Sequence, residues 1–283
     1  MTLAYRFGLS KMVAADSTRW LDSCRRAEAQ GYDIVLVPDH LGTAAPFSAA
    51  VAAAQATGLR VGTYALNAAF YRTALLAREV ATASALTAGR FELGVGTGYL
   101  RAEFEAVGLD PGSPGDRVGD LTRILTGLGE RTNESRSTPV LVAGNGDRVL
   151  RLAATHADIV SFLGMRYDPT VPGGLRPLTT DEFATRVAFF DAAAGARSAA
   201  IERNIAIRAV LVTDDRAATL RTLARTRFRL PVEILDDLPI LLVGTVEQIA
   251  DRIEQLRDRF GITYFAIPDL HQEAFAPVLD KLR

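Results

Sequence analysis

The stretch Asp33-Ile34-Val35-Leu36-Val37-Pro38-Asp39-His40 carries four aliphatic residues in a row, then a proline, a carboxylate and an imidazole. A strand with one face in water alternates apolar and polar side chains. This run is apolar on both faces, the pattern of a parallel strand with helices outside and side chains filling the inside. Further runs of the same kind are expected at Tyr5 to Leu9, Arg60 to Leu66, Phe91 to Val95, Pro139 to Ala143, Asp158 to Leu163, Ile205 to Val212 and Ile262 to Ile267. Between them helical patterns fall near Ser17 to Gln30, Pro46 to Ala56, Thr73 to Thr87, Asp116 to Leu128, Asp147 to Thr155, Asp181 to Ala194 and Val246 to Arg259, with a last helix near Glu273 to Leu282. Strand and helix alternating from end to end predict an α/β protein of the (β/α)8 TIM-barrel class with loop insertions, one domain over residues 1–283, in preference to an open sheet.

Local signals support the helix starts. Asp16-Ser17 is placed to cap the first helix, and Thr245 with Gln248 to form a capping box on the helix near Val246. Two irregular stretches interrupt the rhythm. One is Arg166 to Thr180, with Pro169, Pro172, Gly173, Gly174 and Pro177; the other is Arg227 to Pro239, with a short helix or loop before Ile240-Leu241-Leu242-Val243. Long loops in a compact domain are functional lids or disordered segments, and as a lid either stretch would cover a pocket.

Composition narrows the function. The formal net charge of −1 provides no positive field to hold nucleic acid or an anionic membrane surface, so the partners expected are small-molecule substrates or copies of the same chain, with monomer and homodimer both open. The start of the chain lacks a basic segment leading into an apolar one, and no apolar run reaches the length of a membrane span, so a cytoplasmic location is expected. Arginine far outnumbers lysine, present only as Lys11 and Lys281. The single cysteine, Cys24, cannot form an internal disulfide and reads as a small core residue, so redox chemistry here needs a cofactor.

In a parallel barrel the active site lies at the carboxyl ends of the strands, and four such places carry candidate residues. After the second strand come Asp39 and His40, of which His40 suits proton donation near neutral pH and Asp39 fits a cap on loop amides equally well. His156 directly precedes a strand, on the opposite face, and His271 starts the last helix; both read as structural or surface residues. After the third strand, Tyr64-Ala65-Leu66-Asn67 offers an aromatic ring and an amide to the mouth. After the fourth, Gly96-Thr97-Gly98 lets the backbone approach a planar ring or a phosphate, although the spacing is not that of a Rossmann fingerprint. After the fifth, Gly144-Asn145-Gly146-Asp147-Arg148 opens a helix and has the make-up of a phosphate grip, or of a tight turn followed by a solvated arginine.

Taken in order, these motifs resemble the luciferase-like, F420-dependent oxidoreductases over essentially the whole chain: Gly31-Tyr32-Asp33 leading to Val37-Pro38-Asp39-His40, Arg60-Val61-Gly62-Thr63, Ala77 to Thr82, Gly89-Arg90-Phe91-Glu92-Leu93-Gly94-Val95-Gly96-Thr97-Gly98, and Val140 to Gly146. The resemblance implies coenzyme F420, with FMN as the alternative, lying across the barrel mouth. It implies a bulge in the third strand, often with a non-proline cis peptide in relatives, that backs the cofactor ring at Tyr64 and Ala65. It further implies Asp39 and Asn67 at the ring system, Gly96, Thr97 and Gly98 at its edge, and Gly144, Asn145, Gly146 and Arg148 at the phosphate. One departure matters: sugar-phosphate dehydrogenases of the family place a carboxylate proton donor directly after Gly-Thr-Gly, where this chain has Tyr99, so their substrate does not carry over. His40, Tyr99 and Glu103, the last one helical turn beyond Tyr99, are the candidates to move the proton, and Tyr99 and Glu103 each also fit a structural role.

The activity implied is hydride transfer between the deazaflavin and a C=C or C=N bond, or an alcohol, of a small organic substrate. Two other readings keep the fold: an FMN-dependent luciferase-like monooxygenase, and a cofactor-binding barrel without turnover. A non-redox hydrolase or aldolase is disfavoured, because no expected barrel strand carries a lysine for a Schiff base and no histidine–carboxylate cluster has metal-ligand spacing.

Overall fold

A computed structural model describes residues 5–12, 17–129, 138–168, 170–171 and 174–283. The chain begins β1 (Arg6–Ser10), α1 (Ser17–Ala29), β2 (Ile34–Val37), α2 (Pro46–Ala56), β3 (Arg60–Thr63), β4 (Leu66–Asn67), α3 (Thr73–Leu86), β5 (Phe91–Gly96), α4 (Arg101–Ala106) and α5 (Pro114–Gly129). It continues with β6 (Val140–Ala143), α6 (Asp147–His156), β7 (Ile159–Phe162), β8 (Met165–Tyr167), β9 (Leu175–Pro177), α7 (Thr180–Ala194), β10 (Glu202–Ala206) and β11 (Ala209–Val212). The last elements are α8 (Arg216–Leu223), α9 (Val232–Asp236), β12 (Leu241–Gly244), α10 (Val246–Phe260), β13 (Tyr264–Pro268) and α11 (Gln272–Leu282).

Parallel pairings run β1–β2, β2–β3, β3–β5, β5–β6, β6–β7, β7–β10, β10–β13 and β13–β1, which closes an eight-stranded ring. The apolar run at residues 34–37 divides as a closed barrel requires. Ile34 and Leu36 belong to a small cluster inside the ring, with Leu141, Ala143, Ile159, Tyr264 and Ala266. Val35 and Val37 join the large cluster beneath the helices. The two faces of one strand thus feed two cores, which is why neither face is polar.

The third strand is interrupted where the sequence places a bulge. The Tyr64–Ala65 peptide is cis, and pairing with β5 resumes at Leu66–Asn67. Gly62 sits opposite Glu92 and Leu66 opposite Val95, so the broken strand holds one residue more than its partner, the count that defines a β-bulge.

The run Ile205 to Val212, expected as one strand, is two strands in two sheets. Ile207 N–H donates to Ala266 O, the last bond to the barrel, and Arg208 N–H then turns to Ile240 O. From Ala209 the chain pairs instead with β12, which the sequence reading left as a segment after a loop. Apolar continuity marks a buried strand but does not say which neighbour it buries against, so the break was hidden. The Thr245–Gln248 capping box forms on α10, and an unexpected one, Thr179–Glu182, opens α7. The expected Asp16-Ser17 cap falls outside the described residues, as do Pro169, Pro172 and Gly173. No helix among the described residues is long and apolar enough to cross a membrane.

The amino ends of the barrel strands are closed by charge. Arg6 donates to Glu92 (2.5 Å) and to Glu202, Arg60 donates to the same Glu92 oxygen (2.6 Å), and the Arg6 guanidinium lies 4.4 Å from the centre of the Tyr264 ring. This plug leaves the opposite end as the open mouth.

Candidate active site

A cleft of about 870 Å³ opens at the carboxyl ends of the strands, within the range of small-molecule sites. From the second strand come Asp39 and His40. Asp39 Oδ2 accepts the Asn67 N–H (3.0 Å) and the Tyr71 hydroxyl (3.1 Å), so this oxygen does act as a loop cap, tying the end of β2 to β4. Burial pushes the Asp39 carboxyl above its usual range, against the pull of those two donors.

His40 Nδ1 lies 2.9 Å from Glu103 Oε1, and the same oxygen accepts the Leu41 N–H (3.2 Å). An ionised carboxylate only accepts, so the Nδ1 position carries the proton and Nε2 is left as the nitrogen free for chemistry. Glu103 reaches His40 because Arg101–Ala106 is a short helix, too brief to show a periodic pattern in sequence. The structure thus joins Glu103 to His40, two of the three residues that the sequence offers as candidates to move the proton. Tyr99 is 62% exposed and meets the His40 ring edge-on, centroids 6.2 Å apart.

The cis peptide places Ala65 beside the glycine loop: a Cβ on Gly96 would lie 3.8 Å from that of Ala65. The Tyr64 hydroxyl crosses the barrel interior, donating to Asn204 Oδ1 (2.8 Å) and lying 2.8 Å from Ser161 Oγ. Burial pushes this phenol up to about 12, against the pull of the Ser161 contact and the Arg208 charge. Asn67 Oδ1 accepts the Ala69 N–H (3.2 Å), holding its amide beneath Gly98, which has φ +66°; a Cβ there would come within 2.3 Å of Asn67 Nδ2. Thr97 Oγ1 stays local, 3.4 Å from Gly98 O.

At the fifth strand, Gly144 has φ +155° and packs against Val149, a Cβ there lying 2.8 Å from Val149 Cγ1. Gly146 caps α6 without a side-chain acceptor, and Leu150 N–H is the amide that bonds back to Gly146 O, so the amides at 147–149 remain for an anion. The Asn145 amide is used inside the protein, donating to Met165 O (2.6 Å) and accepting the Leu163 N–H (3.2 Å), which ties this loop to β7 and β8.

Asp39, His40, Tyr64, Ala65, Asn67, Gly96, Thr97, Gly98, Tyr99, Glu103, Gly144, Asn145 and Gly146 thus line one cleft. Arg148 does not: it is exposed, its guanidinium beside Gly115 at the start of α5, while Val149 takes the position facing the cleft. The sequence reading passed over Arg117, Arg166, Arg186 and Arg208 as site residues, and all four line the cleft. Arg208 had a usable signal, a cation at the end of a barrel strand; the others sit on helices or in the first irregular stretch. His156 ends α6 and His271 is buried under the last helix, and burial lowers both rings' basicity.

Of the two expected lids, Arg166 to Thr180 supplies cleft residues as an antiparallel hairpin, β8 against β9. The stretch Arg227 to Pro239 supplies none. It packs elsewhere, with Asp237 O accepting from Thr180 and Arg252. The hairpin is latched to α7 by Glu182, which accepts from Arg176 and from Arg166 (3.2 Å). The Arg176 bond, stronger than the opposing effect of burial, lowers the Glu182 carboxyl from its ordinary 4.5 to about 2. A depressed folded-state value stabilises the latch fully above pH about 4.5 and loses that contribution as pH falls towards about 2. Backbone amides of β8 and β9 are therefore expected to exchange faster in Glu182→Gln at neutral pH, measured by hydrogen exchange; unchanged protection would show that the latch does not hold the hairpin.

The carboxyl ends of the strands of a closed parallel barrel gather the cleft residues at one mouth, the end where such a fold takes its small-molecule ligands. The luciferase-like monooxygenase family model matches residues 2–263, and the chain belongs to that family. It is 28% identical over 90% of its length to the F420-dependent glucose-6-phosphate dehydrogenase of Nocardia farcinica (strain IFM 10152), covering 82% of that protein. Among solved structures, an F420-dependent secondary alcohol dehydrogenase in complex with an F420–acetone adduct superposes with TM-score 0.74 at 16% identity, over 99% of this chain and 100% of that one. Riboflavin lyase with modified FMN and riboflavin superposes with TM-score 0.75 at 15% identity, over 99% and 92%.

Proposed function

We propose that the chain is a coenzyme F420-dependent oxidoreductase that moves a hydride between the deazaflavin and a C=C, C=N or alcohol group of a small organic substrate. The observation that carries this reading is the His40–Glu103 pair, set at the same mouth as the Tyr64–Ala65 bulge and the Gly96–Gly98 loop. The site fits a flat, anionic cofactor on two counts. The cleft is large enough, and the uncapped start of α6 offers amides to a phosphate.

When bound, the cofactor supplies the two-electron chemistry. The chain supplies position and protons. Asp39 and Asn67 would hold the ring system, Gly96, Thr97 and Gly98 its edge, and Gly144, Asn145 and Gly146 the phosphate. His40 Nε2 gives or takes the proton that accompanies hydride transfer, while Glu103 keeps the ring turned towards the cleft. Tyr99, exposed beside His40, closes over the substrate side, and the β8–β9 hairpin excludes water.

F420 is preferred because the relative matched over 90% of the chain is named for it; the FMN of the riboflavin lyase structure keeps a flavin monooxygenase as the second reading. Titration of the purified protein with F420 and with FMN, followed by ring fluorescence, separates the two. Tight binding of F420 with FMN weaker is expected. Preference for FMN would favour the second reading, and binding of neither would overturn both.

A further inference from the structure

Arg208 stands where the chain leaves the barrel. Its N–H donates to Ile240 O (2.8 Å) and its carbonyl accepts from Arg227 (3.1 Å), so the main chain is held on both sides while the half-buried side chain lines the cleft. The other cleft guanidinia are committed: Arg166 to Glu182, Arg186 to Asp147, and Arg117 to the carbonyls of Pro111 and Gly112. Arg208 has no ion pair or side-chain hydrogen bond among the described residues, and its Nε is buried with no acceptor. A donor withdrawn from water and left unbonded is costly, and such a group calls for a partner the fold itself does not provide.

Its place in the ring sets its main chain apart from the loops assigned to the cofactor, with Tyr64 reaching across the barrel into its field. The order β3-β5-β6-β7-β10 sets β10 diametrically across the barrel from the bulged strand, whereas the cofactor residues come from the ends of β2 to β6. Charge selects the ligand class. A carboxylate matches a single guanidinium in both charge and fork geometry. A phosphate dianion carries one charge more than Arg208 can neutralise, and the other cleft guanidinia already have partners.

We propose that Arg208 binds a carboxylate of the substrate, so that the enzyme acts on carboxylate-bearing organic molecules whose reacting group faces His40. The proposal rests on the oxidoreductase reading above, which fixes where the reacting group must lie. It is tested by calorimetric titration of acetate, benzoate and inorganic phosphate into wild-type protein, Arg208→Gln and Arg208→Lys, each with and without F420. Carboxylates are expected to bind wild type more tightly than phosphate, Arg208→Gln to lose about ten- to a hundredfold of that affinity, and Arg208→Lys to keep part of it. F420 affinity is expected to be the same in all three. Equal carboxylate binding in Arg208→Gln, a preference for phosphate, no carboxylate binding to wild type, or a parallel loss of F420 affinity would each overturn the assignment. Should Arg208→Gln fail to fold, Arg208→Lys gives the comparison. Failure of wild type to take up F420 or FMN would instead strike the oxidoreductase reading, and the cofactor-free titrations would still test Arg208.

Discussion

His40→Ala is expected to lower turnover by about a hundred- to ten-thousandfold while leaving F420 affinity nearly unchanged, the usual range for losing a positioned proton donor or acceptor. The two effects separate because of what His40 touches. Its Nδ1 is spent on Glu103, and no main-chain group of the cofactor loops depends on its ring. Asp39, the neighbouring residue, carries the structural bonds to Asn67 and Tyr71, so the end of β2 keeps its tie to β4 without the imidazole. Glu103→Gln adds a readout that a merely structural role would not give. The amide still fills the space and can still accept from Leu41 N–H, but the bond to His40 Nδ1 loses its carboxylate, so kcat should fall while KM and the folded yield stay close to wild type. Steady-state kcat and KM with the best substrate from a carboxylate panel check both variants. Turnover by His40→Ala equal to wild type would remove the residue from the chemistry, and an unchanged kcat in Glu103→Gln would reduce Glu103 to a cap on Leu41.

What the sequence made legible followed from features that act locally. Ile34 to Val37 read correctly because a strand buried on both faces has no polar register to hide. The glycines after β5 and β6 stand out in the sequence because positive φ and close approach to Asn67 and Val149 admit little else at Gly98 and Gly144. The motif order also led to the bulge at Tyr64–Ala65, through resemblance rather than propensity. The failures share a cause, dependence on a partner distant in sequence. The break between β10 and β11 is decided by Ile240, more than thirty residues on. The contact of Glu103 with His40 joins two residues far apart in the chain, and Arg148 and Arg208 differ not in residue type but in which side of the barrel rim the backbone turns them to. The charge plug joins Arg6, Arg60, Glu92 and Glu202, none of which is a neighbour of another in the chain.

That plug gives the largest expected effect on stability: Glu92→Ala is expected to destabilise the fold by about 3 to 5 kcal/mol, the cost of removing one partner from a buried ion pair. The Glu92 side chain is 3% exposed, and a single oxygen receives both Arg6 (2.5 Å) and Arg60 (2.6 Å). Its loss leaves Arg6 held by Glu202 and by the face of Tyr264, with one of its two carboxylate partners gone. Arg60 is nearer solvent and recovers part of its hydration, which places the effect at the lower end of that range. Removing the charge alone should already be costly, because the volume is not the issue: Glu92→Gln fills the same space yet cannot neutralise two guanidinia. Both variants can be compared with wild type by urea unfolding, and an unchanged midpoint in Glu92→Ala would show that the plug is electrostatically idle. The plug closes the amino ends of the strands and the cleft opens at the carboxyl ends. The folded fraction of Glu92→Ala should therefore bind F420 as wild type does, and a folded variant that lost the cofactor would show that the two ends of the barrel are coupled through the strands between them.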